Sequence, residues 1–513
     1  MAVWSGLATA ALLLVIDGLL AGRSLVGNLT RARSELNVGI EAIVTGDPEG
    51  ARPHFEAAVE AADRATSAVG HPALGLAGLL PVAGENLDAA AGVAAASKET
   101  ALAGTAMVDV ARTLGWSDVA LPAATRVGRL DLEAMRAAVP LMDTVVTRLR
   151  NAASALQAAG GGRLLGPVAS GYRDAVERLE RRADLSTRLR DTLSLASAMF
   201  GADGPRRYLL VVPSLGIPRP EGGAAASVGV LVAEGGIARV ESLSGGDEGS
   251  LEPAAPALAG AAGSPDGPTA ARRLLAAVAK SGGPELDGVV WLDAVALEDL
   301  VWVTGDVRAG GRRLSDITTT TALELDAYLG SAPRVAEQLH AEWATRIVRR
   351  FLARRPGIES FALAGARSAR ERHLGIFLTR DDEQRVVRAL GLDRAVPRPE
   401  AGVLPVVVTW SADGANHVGA FVTTRVRYEV NLRSDGSARV LTEVTLENGA
   451  GLEPPSVLLG RPGSLVPVGS LAAEVGVLAP KDVRQVEAET SRPSPISVEG
   501  DLGYASVNGS VTI

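Results

Sequence analysis

The first apolar stretch, "VWSGLATAALLLVIDGLL" at 3–20, approaches the ~20 residues a helix needs to cross a bilayer. It predicts a single-pass membrane anchor over 1–22, because no small-x-small cleavage site precedes the following helical region. From about 25 to 200, apolar positions recur at helical spacing and the segments break at glycine and proline. Leu132, Met135, Val139, Met142, Val146, Leu149, Ala153 and Leu156 alternate steps of three and four, the signature of a helix-pairing seam. Pro140 within it predicts a kink. A second stretch with Tyr172, Val176, Leu179 and Ala183 on one face predicts an antiparallel partner, so 25–200 reads as a helical stalk or bundle. Asp47-Pro48-Glu49 reads as the capped start of a helix within it.

From Arg206 the period shortens. "RRYLLVV", "SVGVLVAEGGIARVESL" and "DGVVWLD" read as strands, and "GPTAARRLLAAVAKSG", "AVALEDLVWVTG" and "APRVAEQLHAEWATRIVRRFLARR" as helices. This predicts an α/β domain over 201–400. Alternation in "AFVTTRVRYEVNLRSDGSARVLTEVTLENG" predicts a hairpin turning at Asp435-Gly436, inside a β-rich region over 401–513. The fold class is therefore a multidomain α+β and α/β assembly.

Composition narrows the chemistry. A net charge of −8 over 513 residues, with only three lysines, lacks the basic footprint of a nucleic-acid binder. With no cysteine, thiol catalysis and disulfides are excluded. The five histidines lack metal-ligand spacing. No metal or cofactor is expected from the residues themselves.

The connection "GIPRPEGGAAASVGVL" at 216–231 carries one arginine and a glycine pair between strand-like runs. Glycines permit a tight loop whose N–H groups face an anion, with Arg219 as a clamp; pairing of Arg219 with an acid such as Glu221 is the competing reading. Asp293 ends "GVVWLD", either at the mouth of a cleft or as the cap of the next helix, and the cap is favoured.

The motifs "GADGPRRYLLVV", an arginine before a glycine pair, "SVGVL", "DGVVWLDAVALEDLVWVTGDV" and "ARERHLGIFLTRDDEQRVVRALGLD" resemble a bacterial family of membrane-anchored proteins catalogued as domain of unknown function 4012. The second-last of these segments is also similar, more distantly, to the LytR-CpsA-Psr phosphotransferases. Those enzymes move glycopolymers from a polyprenyl diphosphate, with arginines and aspartates around pyrophosphate and magnesium. The resemblance implies that the bulk lies outside the cytoplasm, whereas Arg23, Arg31 and Arg33 after the span would place it inside by charge alone.

Against the family pattern, Arg219, Gly222, Gly223 and Ser227 keep their places, while a polar run is replaced by Pro213, Ser214, Leu215, Gly216 and Ile217. Arg334 falls where the transferases carry arginines, Gly246-Asp247 where they carry an Arg-Asp pair, and Glu371-Arg372-His373 forms the family's "ERHL" motif, read as an inter-element hydrogen-bonded cluster. The resulting expectation is an anchored cell-envelope protein that binds an envelope glycan, lipid carrier or protein partner through a degenerate transferase-like domain. Ligand-contacting residues would be Arg219, Gly222, Gly223, Ser227, Asp293 and Arg334. The alternatives are a magnesium-dependent glycopolymer transferase and a stalked structural scaffold.

Overall fold

A computed structural model describes residues 2–72, 74, 81–115, 124–125, 129–159, 166–244, 258, 263–315, 317–329, 331–353, 365, 367–398, 406–412, 416–451, 456–460, 466–480, 483, 485–490, 496–501 and 504–513. The chain divides into a helical unit, residues 1–125 and 130–198, and a mixed unit, 126–129 and 199–513.

The helical unit contains α1 (Ala2–Val44), α2 (Pro48–Val69), α3 (Pro81–Leu114), α4 (Leu132–Ala159) and α5 (Gly166–Met199). The apolar run 3–20 opens α1, but the side chains of residues 1–19 lie outside the described residues. Among the described residues no helix is long and apolar enough to cross a membrane. Asp47 starts α2 as the sequence predicts, accepting the Gly50 N–H at 2.9 Å.

The 132–156 seam is a core. Met135, Met142, Leu149, Ala153 and Leu156 pack with Tyr172, Leu179 and Ala183 of α5 and with Ala96, Ala103 and Val110 of α3. Small α3 residues let its backbone approach the larger side chains of α4. Cross-pairs of α4 and α5 run in opposite directions along the chain, Gln157 to Glu180 at 2.7 Å and Arg190 to Asp143 at 3.1 Å, so the helices are antiparallel. The α4 helix continues through Pro140, where the ring removes one donor from the ladder.

In the mixed unit, β1 (Arg206–Ser214), β2 (Ala224–Glu234), β3 (Ile237–Ser244), β4 (Gly288–Leu292) and, further on, Leu374–Leu378 line up in one sheet. The helix α6 (Gly267–Lys280) precedes β4, and α7 (Ala294–Thr304) and α8 (Pro333–Ala353) lie between β4 and the last strand. Two short strands, β5 (Val307–Ala309) and β6 (Arg312–Leu314), make a hairpin between α7 and α8, so Leu374–Leu378 is β7. These five strands follow the order β3-β2-β1-β4-β7 within the sheet, with β1 and β4 parallel and the other neighbours antiparallel. Because β1 is central, both its faces are buried: Leu209 and Val211 pack with Ala270, Leu274 and Val278 of α6, while Tyr208, Leu210 and Val212 point to the other face and are buried too. A short helix, α9 (Asp381–Ala389), sets Glu383 against the buried Arg206 guanidinium.

The β-rich region holds β8 (Val407–Ala412), β9 (Val422–Leu432), β10 (Ala438–Asn448), β11 (Ala472–Pro480), β12 (Ile496–Asp501) and β13 (Tyr504–Thr512). Four of them form an antiparallel sheet in the order β8-β11-β13-β12, and β9 and β10 form a separate two-stranded ribbon. The ribbon turns at Asp435-Gly436 as its sequence predicts: Gly436 has φ +82, and Asp435 accepts the Ser437 N–H at 2.9 Å.

Candidate functional site

The parallel neighbours β1 and β4 end side by side, and the described polar groups gather beyond their carboxyl ends, where ligands bind in open α/β sheets. The 216–223 connection leaves β1 there. Gly222 donates to the Arg219 carbonyl at 2.9 Å and Ala224 to that of Ile217 at 2.9 Å, which closes a compact turn. Gly222 and Gly223 have φ of +106 and +130. A Cβ on Gly223 would lie 2.3 Å from the Ser214 carbonyl oxygen, so the turn requires glycine for space as well as conformation. The β-rich region braces it: Ala412 donates to the Pro218 carbonyl at 3.1 Å, and a side chain on Gly419 would strike the Pro218 ring.

Two arginines, Arg219 and Arg394, lie at the turn, and a third, Arg372, is bonded to the Arg394 carbonyl. Arg394 lies beside Gly222, donates to the Glu221 carbonyl at 2.6 Å and sits 5.8 Å over the Trp291 ring. Burial, with the Arg372 charge next, lowers its pKa to about 10. Arg372, also lowered by burial, donates to the carbonyls of Pro265, Arg394 and Ala395. Both residues sit at positive φ, +66 for Arg372 and +52 for Arg394, a conformation that β-carbons resist. Arg219 is half-buried, and its Nε has no hydrogen-bond partner among the described residues. Burial raises the pKa of Glu221, while Arg219 and Arg394 pull it the other way. A cavity of ≈ 10 Å³ lies against Glu221, Gly223 and Trp291, at the lower edge of the ~10–15 Å³ a water occupies.

Asp293 resolves in favour of the cap. Its Oδ1 accepts the Val295 and Ala296 N–H groups at 3.0 Å each, and its Oδ2 meets His373 Nδ1 at 2.7 Å. The hydrogen bond to Asp293 raises the His373 pKa. Together with the Arg372 bonds, this makes "ERHL" the inter-element cluster that the sequence suggests. Both Asp293 oxygens are thus engaged, and Glu221 stands beside the Arg219 and Arg394 charges. Magnesium is held by one or two carboxylates together with substrate phosphates, so Glu221 by itself does not hold a resident cation. Among the described residues no three carboxylate, imidazole or thiol groups converge.

Ser227 points inward: its Oγ lies 2.7 Å from Nδ1 of the fully buried His340. Gly222 and Gly223 form the turn, Arg219 and Asp293 flank it, and Arg334 is exposed in the first turn of α8. Asp247 lies outside the described residues.

Sequence reasoning missed a second cluster. Glu324, on a wide π-type turn at Ala322–Asp326, accepts from Ser214 Oγ at 2.8 Å and Gly216 N–H at 2.9 Å through Oε2, while Oε1 has no partner among the described residues. Burial raises its pKa to about 7, and Asp293 adds to the rise. Tyr328 stacks on His417 with ring centroids 3.9 Å apart. Burial lowers His417 and His340 to about 4. Glu324, His340 and His417 come from three distant segments, so no local spacing announces them; the one signal is His340 on the apolar side of α8, in line with Ala336, Ala344 and Ile347.

No curated protein and no solved structure matches the chain. The stretch from just before β1 to Tyr328, residues 203–328, matches the family model described as "Protein of unknown function (DUF4012)".

Proposed function

We propose that this is a single-pass cell-envelope protein, with its bulk outside the cytoplasm, that binds a phosphate-bearing envelope ligand at the glycine turn without turning it over. The ligand class is a lipid-linked phosphate or an anionic glycan. The observation that carries this reading is the placement of Arg219 and Arg394 at Gly222-Gly223, with the Arg372 charge acting on Arg394, at the carboxyl ends of β1 and β4. Guanidiniums that repel one another in a partly dry site favour an added anion, and glycine leaves the backbone open to close approach. Among the described residues no nucleophile–base pair opens to the cleft, which favours binding over transfer: Ser227–His340 is such a pair in distance, but both residues are buried.

The test uses the full chain in detergent with a short polyprenyl diphosphate glycan and magnesium, beside Arg219→Ala. Retention that weakens about tenfold or more in the variant, with inorganic pyrophosphate competing and no product formed, supports the reading. Magnesium-dependent transfer by the wild type overturns it in favour of the transferase. Protease added to cells with a permeable outer layer tests topology, and protection of the 200–450 region would place the bulk inside.

A further inference from the structure

One acid stands inside the candidate anion site. Glu221 follows Arg219 by two positions on the turn, and the Arg394 guanidinium donates to its carbonyl at 2.6 Å. Its carboxylate feels both arginine charges, yet Oε2 is buried without a hydrogen-bond partner among the described residues. The backbone N–H groups of Glu221 and Gly263 favour the charged form. The other residues around the small cavity beside it, Val211, Pro213, Gly223, Ala225, Leu274 and Trp291, carry no charge.

The carboxylate is therefore held ionised by two guanidiniums against the cost of burial. An ionised oxygen without a donor is expensive out of water, and attraction to arginines offsets that cost only while their charge is not engaged elsewhere. A phosphate oxygen arriving at Arg219 and Arg394 removes the compensation and adds a like charge beside the carboxylate. Two anions in one partly dry site favour the neutral form of the one that can take a proton.

We infer that Glu221 is the internal counter-ion of the site, and that it takes up a proton from solvent when an external anion replaces it at Arg219 and Arg394. Resting on the anion-binding reading of the glycine turn, this role gives the same site a regulator. Burial already raises the Glu221 pKa, which brings the carboxyl closer to accepting that proton. With the anion present Glu221 holds its proton more firmly than without it. Affinity is therefore highest at low pH and falls as pH rises through the carboxyl's value in the complex.

The remaining charged groups facing these arginines are few. Arg372 and Asp293 act on Arg394, and an arginine stays charged throughout. His373 titrates nearby, bonded to Asp293 and within the fields of Arg394 and Glu371. A variant that neutralises Glu221 leaves His373 in place, so the difference from wild type belongs to Glu221.

Sulfate is the probe, because it is a tetrahedral dianion that carries no proton across the range used. Its binding to the full chain in detergent is measured by calorimetry from pH 6 to pH 8 for the wild type, Glu221→Gln and Arg219→Ala. Wild-type affinity should fall about tenfold or more over this window, and titrations in two buffers of different ionisation heat should show about half a proton or more taken up per sulfate near pH 7. Glu221→Gln should bind at pH 8 at least as tightly as the wild type does at pH 6, with less than about a threefold change across the window. Arg219→Ala should weaken sulfate at every pH. Three results would overturn the counter-ion role while leaving the anion site standing: Arg219-dependent sulfate binding by the wild type with no proton uptake, an undiminished pH dependence in Glu221→Gln, or weaker binding by that variant than by the wild type at pH 8. Absence of sulfate binding in all three proteins, or binding that Arg219→Ala leaves unchanged, would remove the site itself and the role of Glu221 with it.

Discussion

The α4 seam in the helical unit and the strand-end clusters in the mixed unit both exclude water, the seam fully and the clusters in part, and they do so by opposite means. Along the seam every inward position is apolar, and the polar groups of α4 and α5 pair at its margin. At the strand ends the inward positions are carboxylates, imidazoles, hydroxyls and guanidiniums, partnered to very different degrees. Asp293 has three donors on two oxygens, whereas Glu324 has two donors on one oxygen and none described on the other. A packed apolar seam only stabilises. A partly satisfied polar cluster gives up stability for sensitivity to protons and ligands.

The largest effect should come from placing a charge in the seam. Met142 is fully buried, and Met142→Asp strands a carboxylate among leucines and alanines, at a cost of about 3–5 kcal/mol. Thermal unfolding of the helical unit should move down by many degrees. An unchanged midpoint would mean that the seam opens to water and that the contrast between the two regions is false.

Next comes Glu324→Gln, read as a function of pH. Glu324 is raised from its ordinary 4.5 to about 7 in the folded chain, so between these values the folded state holds a proton that the unfolded state has lost. Its contribution is fully present below about 4.5 and is lost as pH rises through about 7, at most roughly 3 kcal/mol. His340 and His417, lowered from 6.5 to about 4, act with the other sign: their contribution is present above 6.5 and lost as pH falls through about 4. Over pH 4.5–6.5 the two imidazoles outweigh the one carboxylate, so from these three groups the wild type should gain stability with pH and level off near pH 7. The glutamine variant, which lacks the opposing group, should gain about twice as steeply over the same window. Equal slopes in the two proteins, followed by thermal melts, would remove Glu324 from the account.

Asp293→Ala should cost about 2 kcal/mol, since it uncaps α7 and leaves His373 without its acceptor. Asp293→Asn, which still caps, should recover more than half of that in denaturant titrations. Equal losses would show that the His373 contact dominates the cap.

These differences explain what the residue pattern reveals. Leu132 to Leu156 is legible because a helix repeats its inward face every three to four residues, and the β-strands are legible because alternation and β-branching are local. Asp293 is legible as a cap because the cap and the groups it serves are adjacent in sequence. Glu324, Arg394 and His417 are not, because their partners Ser214, Glu221 and Tyr328 lie 110, 173 and 89 positions away, and only the pairing of β1 with β4 and the bracing of the 216–218 turn by Ala412 bring them together. Arg219 was legible as a candidate through the glycines beside it, while the arginine that packs against those glycines, Arg394, carried no local mark.

The smallest expected effect sharpens the comparison most. Arg219→Ala removes a half-buried guanidinium whose Nε has no partner among the described residues, so its loss should leave the free protein within about 0.5 kcal/mol of wild type, or slightly more stable. It also takes one counter-charge from Glu221. Arg334→Ala, on the exposed first turn of α8, should be equally neutral for stability. The two variants should then separate on an anionic ligand: Arg219→Ala loses retention of the polyprenyl diphosphate glycan, and Arg334→Ala keeps it. A marked destabilisation by Arg219→Ala would assign that side chain to the scaffold alongside Asp293, and an equal loss of retention in both variants would mean that the ligand responds to overall charge and not to the glycine turn.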